Sequence, residues 1–316
     1  MTNMSDSLTN NAQRQERDNA RSGPRRAGWL KKKPSPYALM VLPALILFFS
    51  FHTLPVLQGV FFSFTNYRGF GEWDFVGFQN YINIFQDGRV YNAYGFTFQF
   101  AIVSTVLVNI ISLIIALGLN AKIKFHKTLR AVYFMPNILS ILIVGFIFNF
   151  IFAVFIPGIA ETIGLTSLTT SILGSRDLAW VAVVIMAVWQ AAAFNTILYL
   201  AGLATIDRDL YEASSLDGAN KWQEFWKITF PLIAPFFTIN MVLAMKNFLM
   251  VFDHVVAMTG GGPGRATQSI SLLIYEDGFA GGQFALQSAN AVIYFIIIVV
   301  ISVFQIRILQ KREVQM

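Results

Sequence analysis

Six apolar stretches recur along this chain, each long enough for a helix to cross a bilayer, and they constrain the fold more than any other feature. They lie at about residues 37–64, 98–119, 129–155, 178–204, 232–257 and 288–309. Crossing a hydrocarbon layer about 30 Å thick takes about 20 such residues in a helix. Backbone groups in lipid must be paired within their own segment, so helices are expected, and the alternating pattern of a membrane barrel is absent. The fold class predicted is an all-α integral membrane protein with six transmembrane helices. Composition agrees, because only 13% of residues are charged, against about 25% in soluble domains. A mean hydropathy of +0.58 over 316 residues leaves more apolar side chain than one globular core can hide.

An even number of spans puts both ends on one side, and Lys and Arg say which. One set of segments carries Arg14, Arg17, Arg21, Arg25, Arg26 and Lys31 to Lys33 in the tail, then Lys122, Lys124, Lys127, Arg130, Arg208, Lys221, Lys227, Arg307, Lys311 and Arg312. The opposite segments carry Arg68, Arg89, Arg176 and Arg265. Positive charge stays on the cytoplasmic side, so both termini are expected in the cytoplasm. The net charge of +6 is thereby assigned to the inner membrane face, with lipid and not nucleic acid as the partner. Residues 1–36 are polar and basic, without the apolar core of a secretory signal, and predict a disordered cytoplasmic tail. Residues 37–310 are expected to form the membrane domain, and 311–316 a cytoplasmic end. The chain has no Cys, which excludes disulfides and thiol chemistry, and His52, His126 and His254 show no ligand spacing. No paired carboxylates or nucleophile with a base stand in the spans, so an enzyme is not expected.

Among the outer links, 69–95 is aromatic and weakly amphipathic, suited to the interface. The link 259–282 holds TGGGPGRATQS, whose glycines and proline demand turns; Gly264 is followed by Arg265 and Ala266, so it is no phosphate loop. In the fifth stretch Asn240, Lys246, Asn247 and Asp253 interrupt apolar sequence, as Gln190 and Asn195 do in the fourth. Polar groups at that depth face a partner helix or a water-filled cavity. Both uses remain open for Asn247, Gln190, Asn195, Asn240 and Lys246, and Lys246 has Asp253 as a possible counter-charge. Trp189, Phe194 and Tyr199 offer aromatic faces on which a solute ring could stack, while His52, and Asp253 with His254, are expected to pair structurally near span ends.

Lipid cannot explain residues 211–231, YEASSLDGANKWQEFWKITFP, which fall in the cytoplasmic loop 205–231. Asp207 or Asp209 can cap a short helix there. Gly218 can end it in the left-handed conformation. Asn220 can cap a second helix whose Trp222, Phe225, Trp226 and Phe230 form a membrane-facing side. Pro231 is expected to stop or redirect that helix at the mouth of the fifth span. Physics alone is satisfied by an amphipathic connector seated on the bilayer.

The intervals go further. Glu212-Ala213-Ser214, Gly218, Ile228 and Phe230-Pro231 keep every spacing of the loop motif of permease subunits in binding-protein-dependent ABC importers, with Ser214 and Phe230 where the motif has Ala and Leu. Over most of residues 37–310 the chain resembles that family, in its sugar and oligosaccharide branch, similar to the larger permease of maltose-type systems. The resemblance implies that the helix over 210–217 is a coupling helix docking in a groove of a separate ATPase. Glu212 would pair with that groove, Ala213 and Ser214 would allow close approach, and Gly218, flanked by Asp217 and Ala219, would set the angle to the next helix. Gly260, Gly261, Gly262 and Pro263 look like the corresponding outer segment of sugar importers, and imply contact with the external binding protein. Asn247 falls where the maltose-type permease has an Asn in its sugar site. The implied partners are a second homologous permease, two ATP-binding cassette subunits and an external sugar-binding protein. ATP and Mg would reside in the ATPases, with no cofactor or metal in this chain. A permease for another solute, such as glycerol phosphate or an amino acid, and a self-contained secondary transporter are the competing readings.

Overall fold

The computed structural model describes residues 36–121, 126–166 and 169–311. The expected disordered tail lies outside the described residues except for Pro36, as do residues 312–316 of the C-terminal end. Six helices among the described residues are long and apolar enough to cross a membrane. They are Met40–Phe62 (span one), Gly88–Asn120 (span two), Ile141–Thr162 (span three), Ala179–Ala204 (span four), Lys221–Leu249 (span five) and Phe284–Gln310 (span six). A single antiparallel bridge, Thr65 to Phe75, is the extended pairing found among the described residues.

The described residues divide into two compact units, parted between Leu57 and Gln58. In the first, helix Pro36–Phe48 widens into a π-helical turn at Phe49–Thr53, where Leu54 N donates to Phe49 O, and the helix then resumes. Pro55 explains the widening: it lacks an N–H and its ring crowds the carbonyl four residues back, and one extra residue in the turn relieves both. The same device recurs in the second unit. Turn Ile151–Phe155 precedes Pro157 in span three, and turn Phe225–Thr229 precedes Pro231 in span five. Pro231 was expected to stop or redirect its helix; instead the widened turn absorbs it. Span five therefore starts at Lys221, eleven residues before the apolar run does.

The core of the second unit is spans two and four, which pack together more extensively than any other pair. Span two buries Ala93, Thr97, Ala101, Ser104, Val108, Ser112 and Ala116 at intervals of three or four residues, one helical stripe of small side chains. Small residues let helix backbones approach, and polar ones then bond across. Ser112 Oγ donates to Ala192 O at 3.3 Å, Thr196 Oγ1 to Ser112 O at 3.5 Å, and Tyr199 Oη to Asn109 Oδ1 at 2.6 Å. Span five packs on spans two, four and six.

Two expected spans are broken. The third apolar stretch forms helix His126–Ile138, a break at Leu139 and Ser140, and then span three. The fifth ends as a continuous helix at Leu249, and after an irregular step over 250–252 a short helix runs Asp253–Met258. That short helix lies so close to span three that a Cβ on Gly145 would collide with Ala257 Cβ. The link 259–282, where turns are expected, is also folded into the protein. Thr267, Gln268 and Ser269 are buried, helix Ile270–Tyr275 follows, and Ile270 N donates to Thr97 Oγ1 at 3.0 Å.

Candidate functional site

The polar loop folds as a capped helix, a tight reversal and the foot of span five. Asp207 accepts from Asp209 N at 3.1 Å and starts helix Arg208–Leu216. Gly218, at φ +78°, ends it. Gly218 N donates to Ser215 O at 3.2 Å and Ala219 N to Ser214 O at 3.0 Å, the paired bonds of a Schellman cap. Asn220 then caps the next helix through a reciprocal pair, Gln223 N to Asn220 Oδ1 and Asn220 N to Gln223 Oε1, each 2.9 Å. The two helices are tied by the hydroxyls of Tyr211 and Thr229, 2.9 Å apart.

This geometry leaves Glu212, Ala213, Asp217 and Gly218 exposed, with Ser214 and Ala219 half-buried. Ser214 turns its hydroxyl back to Tyr211 O at 3.0 Å, which keeps that side of the helix slim. Leu216, not singled out from sequence, is 89% exposed at the helix end and gives the surface an apolar knob. Trp222, Phe225, Trp226 and Phe230 form one aromatic cluster with ring centroids 4.9 to 5.9 Å apart.

The breaks in the two spans bound a cavity of about 440 Å³. It brings together Gln190, Asn195, Lys246 and Asn247, along with Asn137, Phe194, Asp253 and His254. Broken helices at membrane depth are tolerated where they line a cavity. Gln190 Nε2 donates to Leu139 O at 3.1 Å, capping a carbonyl freed by the break in the third stretch. Its Oε1 is buried and has no hydrogen-bond partner among the described residues, leaving an acceptor in the cavity wall. Asn195 donates to Ala191 O at 2.8 Å within its own helix.

Several expectations change here. Asn240 is not in the lining; it is fully buried and donates to Asn195 O at 3.3 Å, so it joins spans four and five. Asn240 and Asn247 are two turns apart, yet they end in different surroundings because span four covers only the first. Tyr199 is fully buried on Asn109 and Trp189 lies outside the lining, which leaves Phe194 as the aromatic of the three beside the cavity. Lys246 and Asp253 form no ion pair within 4.0 Å among the described residues; both line the cavity, as does His254, expected to serve structure at a span end. Asn137 was missed because its stretch read as one continuous span.

The TGGGP segment is a stapled turn. Thr259 and Thr267 hydroxyls stand 2.7 Å apart, and Thr267 Oγ1 also donates to Gly262 O at 2.6 Å. Gly260 is exposed, Gly262 and Pro263 are half-buried, and Gly261 is buried against Gln268 and Leu272, where a Cβ would meet Leu272 Cδ2 at 3.0 Å.

Residues 111–314, from the last third of span two to just past span six, match the family described as the binding-protein-dependent transport system inner membrane component. The chain belongs to that family. Among its relatives, a probable starch degradation products transport system permease protein of Thermoanaerobacterium thermosulfurigenes is 36% identical over 280 residues, 89% of this chain and 96% of that one. A multiple sugar-binding transport system permease protein of Streptococcus mutans is 38% identical over 279 residues, 88% of this chain and 96% of the relative. The fold matches a solved bacterial ABC transporter involved in import of the acidic polysaccharide alginate, with a TM-score of 0.76 at 23% identity, covering 94% of this chain and 99% of the other. Membership in this family makes the chain a multi-pass membrane component of a transport system.

Proposed function

We propose that this permease carries a sugar or oligosaccharide across the cytoplasmic membrane of a bacterium or archaeon, driven by ATP hydrolysis in separate subunits. The observation that carries the reading is one continuous helix. Span five, Lys221–Leu249, begins at the loop helix and ends at the cavity that holds Lys246 and Asn247. A displacement of the loop helix is thus delivered to the cavity wall by a rigid rod. Two relatives named for sugar transport give the substrate class, and Gln190, Asn195 and Asn247 supply the amide donors and acceptors that hydroxyl groups require.

In this scheme both termini and the loop 205–231 are cytoplasmic. Helix Arg208–Leu216 seats in a groove of one of two ATP-binding cassette subunits, with Glu212, Ala213, Ser214, Asp217, Gly218 and Ala219 at the joint. A second, homologous permease completes the pathway. An external sugar-binding protein delivers the cargo near Gly260, Gly261, Gly262 and Pro263. Closure of the ATPases opens the cavity outward, and hydrolysis resets it inward; ATP and Mg stay with the ATPases. The deciding experiment reconstitutes the chain in vesicles with and without its partners. Oligosaccharide uptake should require ATP and all subunits, whereas ion-driven uptake by this chain alone would establish a secondary transporter instead. Replacing Lys246 with Met tests charge selection: loss of uptake for uronate ligands alone assigns the lysine to acidic cargo.

A further inference from the structure

We infer that a groove beside span four binds one anionic phospholipid, with its headgroup on Arg130. A pocket of about 530 Å³ lies between helix His126–Ile138 and span four, walled by Leu119, Phe134, Ile197 and Leu200 and carrying the polar groups of Arg130 and Tyr133. A second pocket of about 310 Å³ meets it at Tyr133 and Ala193, and its other walls include Ile111, Val188 and Trp189, with no charged residue.

The order of these walls along the spans gives the groove a direction. The first pocket touches Leu119 and Ala201, in the last turns of spans two and four. The second reaches back to Leu107 and Val184. A cation therefore stands at the end nearer the basic links, which the proposed topology makes cytoplasmic, and a hydrocarbon wall runs from it toward the membrane centre. That is the shape of an amphiphile with a negative head.

Arg130 donates to Leu119 O at 3.4 Å, a carbonyl at the end of span two, and forms no ion pair among the described residues. A guanidinium fork matches two phosphate oxygens, and basic pockets between spans at the cytoplasmic face hold anionic headgroups. The charge of Arg130 favours an anionic lipid over a neutral one, and the apolar extension favours a lipid over free phosphate.

Native mass spectrometry of the full-length protein with phosphatidylglycerol or phosphatidylcholine tests the site. The expected result is one retained phosphatidylglycerol, favoured by about tenfold over phosphatidylcholine, with the preference lost in Arg130→Gln. A preference that survives Arg130→Gln overturns the proposal, and so does displacement of the lipid by inorganic phosphate. A measurement on the unaltered cation site guards against misfolding of that variant. In phosphatidylcholine vesicles, Trp189 emission, taken as wild type minus Trp189→Phe, should be quenched more by dibrominated phosphatidylglycerol than by dibrominated phosphatidylcholine at equal mole fraction. Equal quenching refutes the site. Loss of the lipid when the whole transporter assembles would assign the groove to a partner subunit and also refute it.

Discussion

The hydroxyls of Tyr211 and Thr229 stand 2.9 Å apart, and they are the side-chain hydrogen bond joining the exposed loop helix to the widened turn at the foot of span five. If force passes from an ATPase to the cavity by this route, Tyr211→Phe loosens it without disturbing either helix cap. The loss of one such bond costs about 0.5–1.5 kcal/mol. The expected outcome is fewer sugars imported per ATP hydrolysed, with hydrolysis maintained, in vesicles containing the whole complex. An unchanged ratio would show that this bond is not in the path.

Gly218 has open space where a Cβ would point, so a substitution there meets no neighbour. Its φ of +78° is what resists, at a cost of about 1–2 kcal/mol for a residue with a Cβ. Gly218→Val should lower uptake several-fold while the protein remains in the membrane, and Gly218→Asn should be milder because Asn tolerates this conformation. Glu212→Arg changes an exposed charge alone and should lower uptake with no shift in Tm. Normal uptake by both Gly218→Val and Glu212→Arg in a complete complex would remove the coupling role.

The cavity and the interhelical bonds separate by the kind of damage each variant does. Asn247 is exposed in the cavity wall, so Asn247→Ala should raise KM for the sugar and leave Tm unchanged. Asn240 is fully buried and bonded to Asn195 O, so Asn240→Ala should lower Tm first. Gln190→Leu should do both, because it removes a cavity acceptor and strands Leu139 O, a group that costs about 1–3 kcal/mol when buried without a partner. Uptake kinetics and thermal unfolding measured on the three variants check this pattern.

Hydropathy made the six spans readable because lipid imposes one requirement on every residue of a span. The loop was readable for the opposite reason: Asp207, Gly218 and Asn220 each act on the backbone within a few residues, and each stands where its local chemistry points. The breaks at 139–140 and 250–252 were not readable, since Leu139, Met250, Val251 and Phe252 are as apolar as their neighbours, a lone Ser140 is common inside spans, and the freed backbone groups are satisfied from elsewhere, as Gln190 does for Leu139. For the same reason the cavity was half legible. Asn240 and Asn247 are seven residues apart, so a helix carries both on one face, but only the packing of span four decides which of them meets open space.

At the end of the membrane domain that the proposed topology places outside, Asp87 caps the start of span two and pairs with Arg89, which in turn reaches Asp277 in the turn Glu276–Ala280. Arg89 Nη2 lies 2.7 Å from Asp87 Oδ2 and Nη1 lies 2.8 Å from Asp277 Oδ2. Hydrogen bonding from the Arg89 side chain holds the Asp87 carboxyl below its ordinary value of 3.8, against a smaller opposing effect of burial. A carboxylate with a lowered folded value binds its proton more readily when unfolded. It therefore contributes stability in full above the ordinary value, and that contribution is lost as pH falls from there through the lowered one. Tm of the wild type in nanodiscs should accordingly drop more steeply with acid below about pH 4 than that of Arg89→Gln. Asp277→Asn should keep most of the wild-type slope, because the dominant contact of Asp87 is with Arg89 itself. Equal slopes for wild type and Arg89→Gln would mean that the pair is as loose in the folded protein as in the unfolded chain.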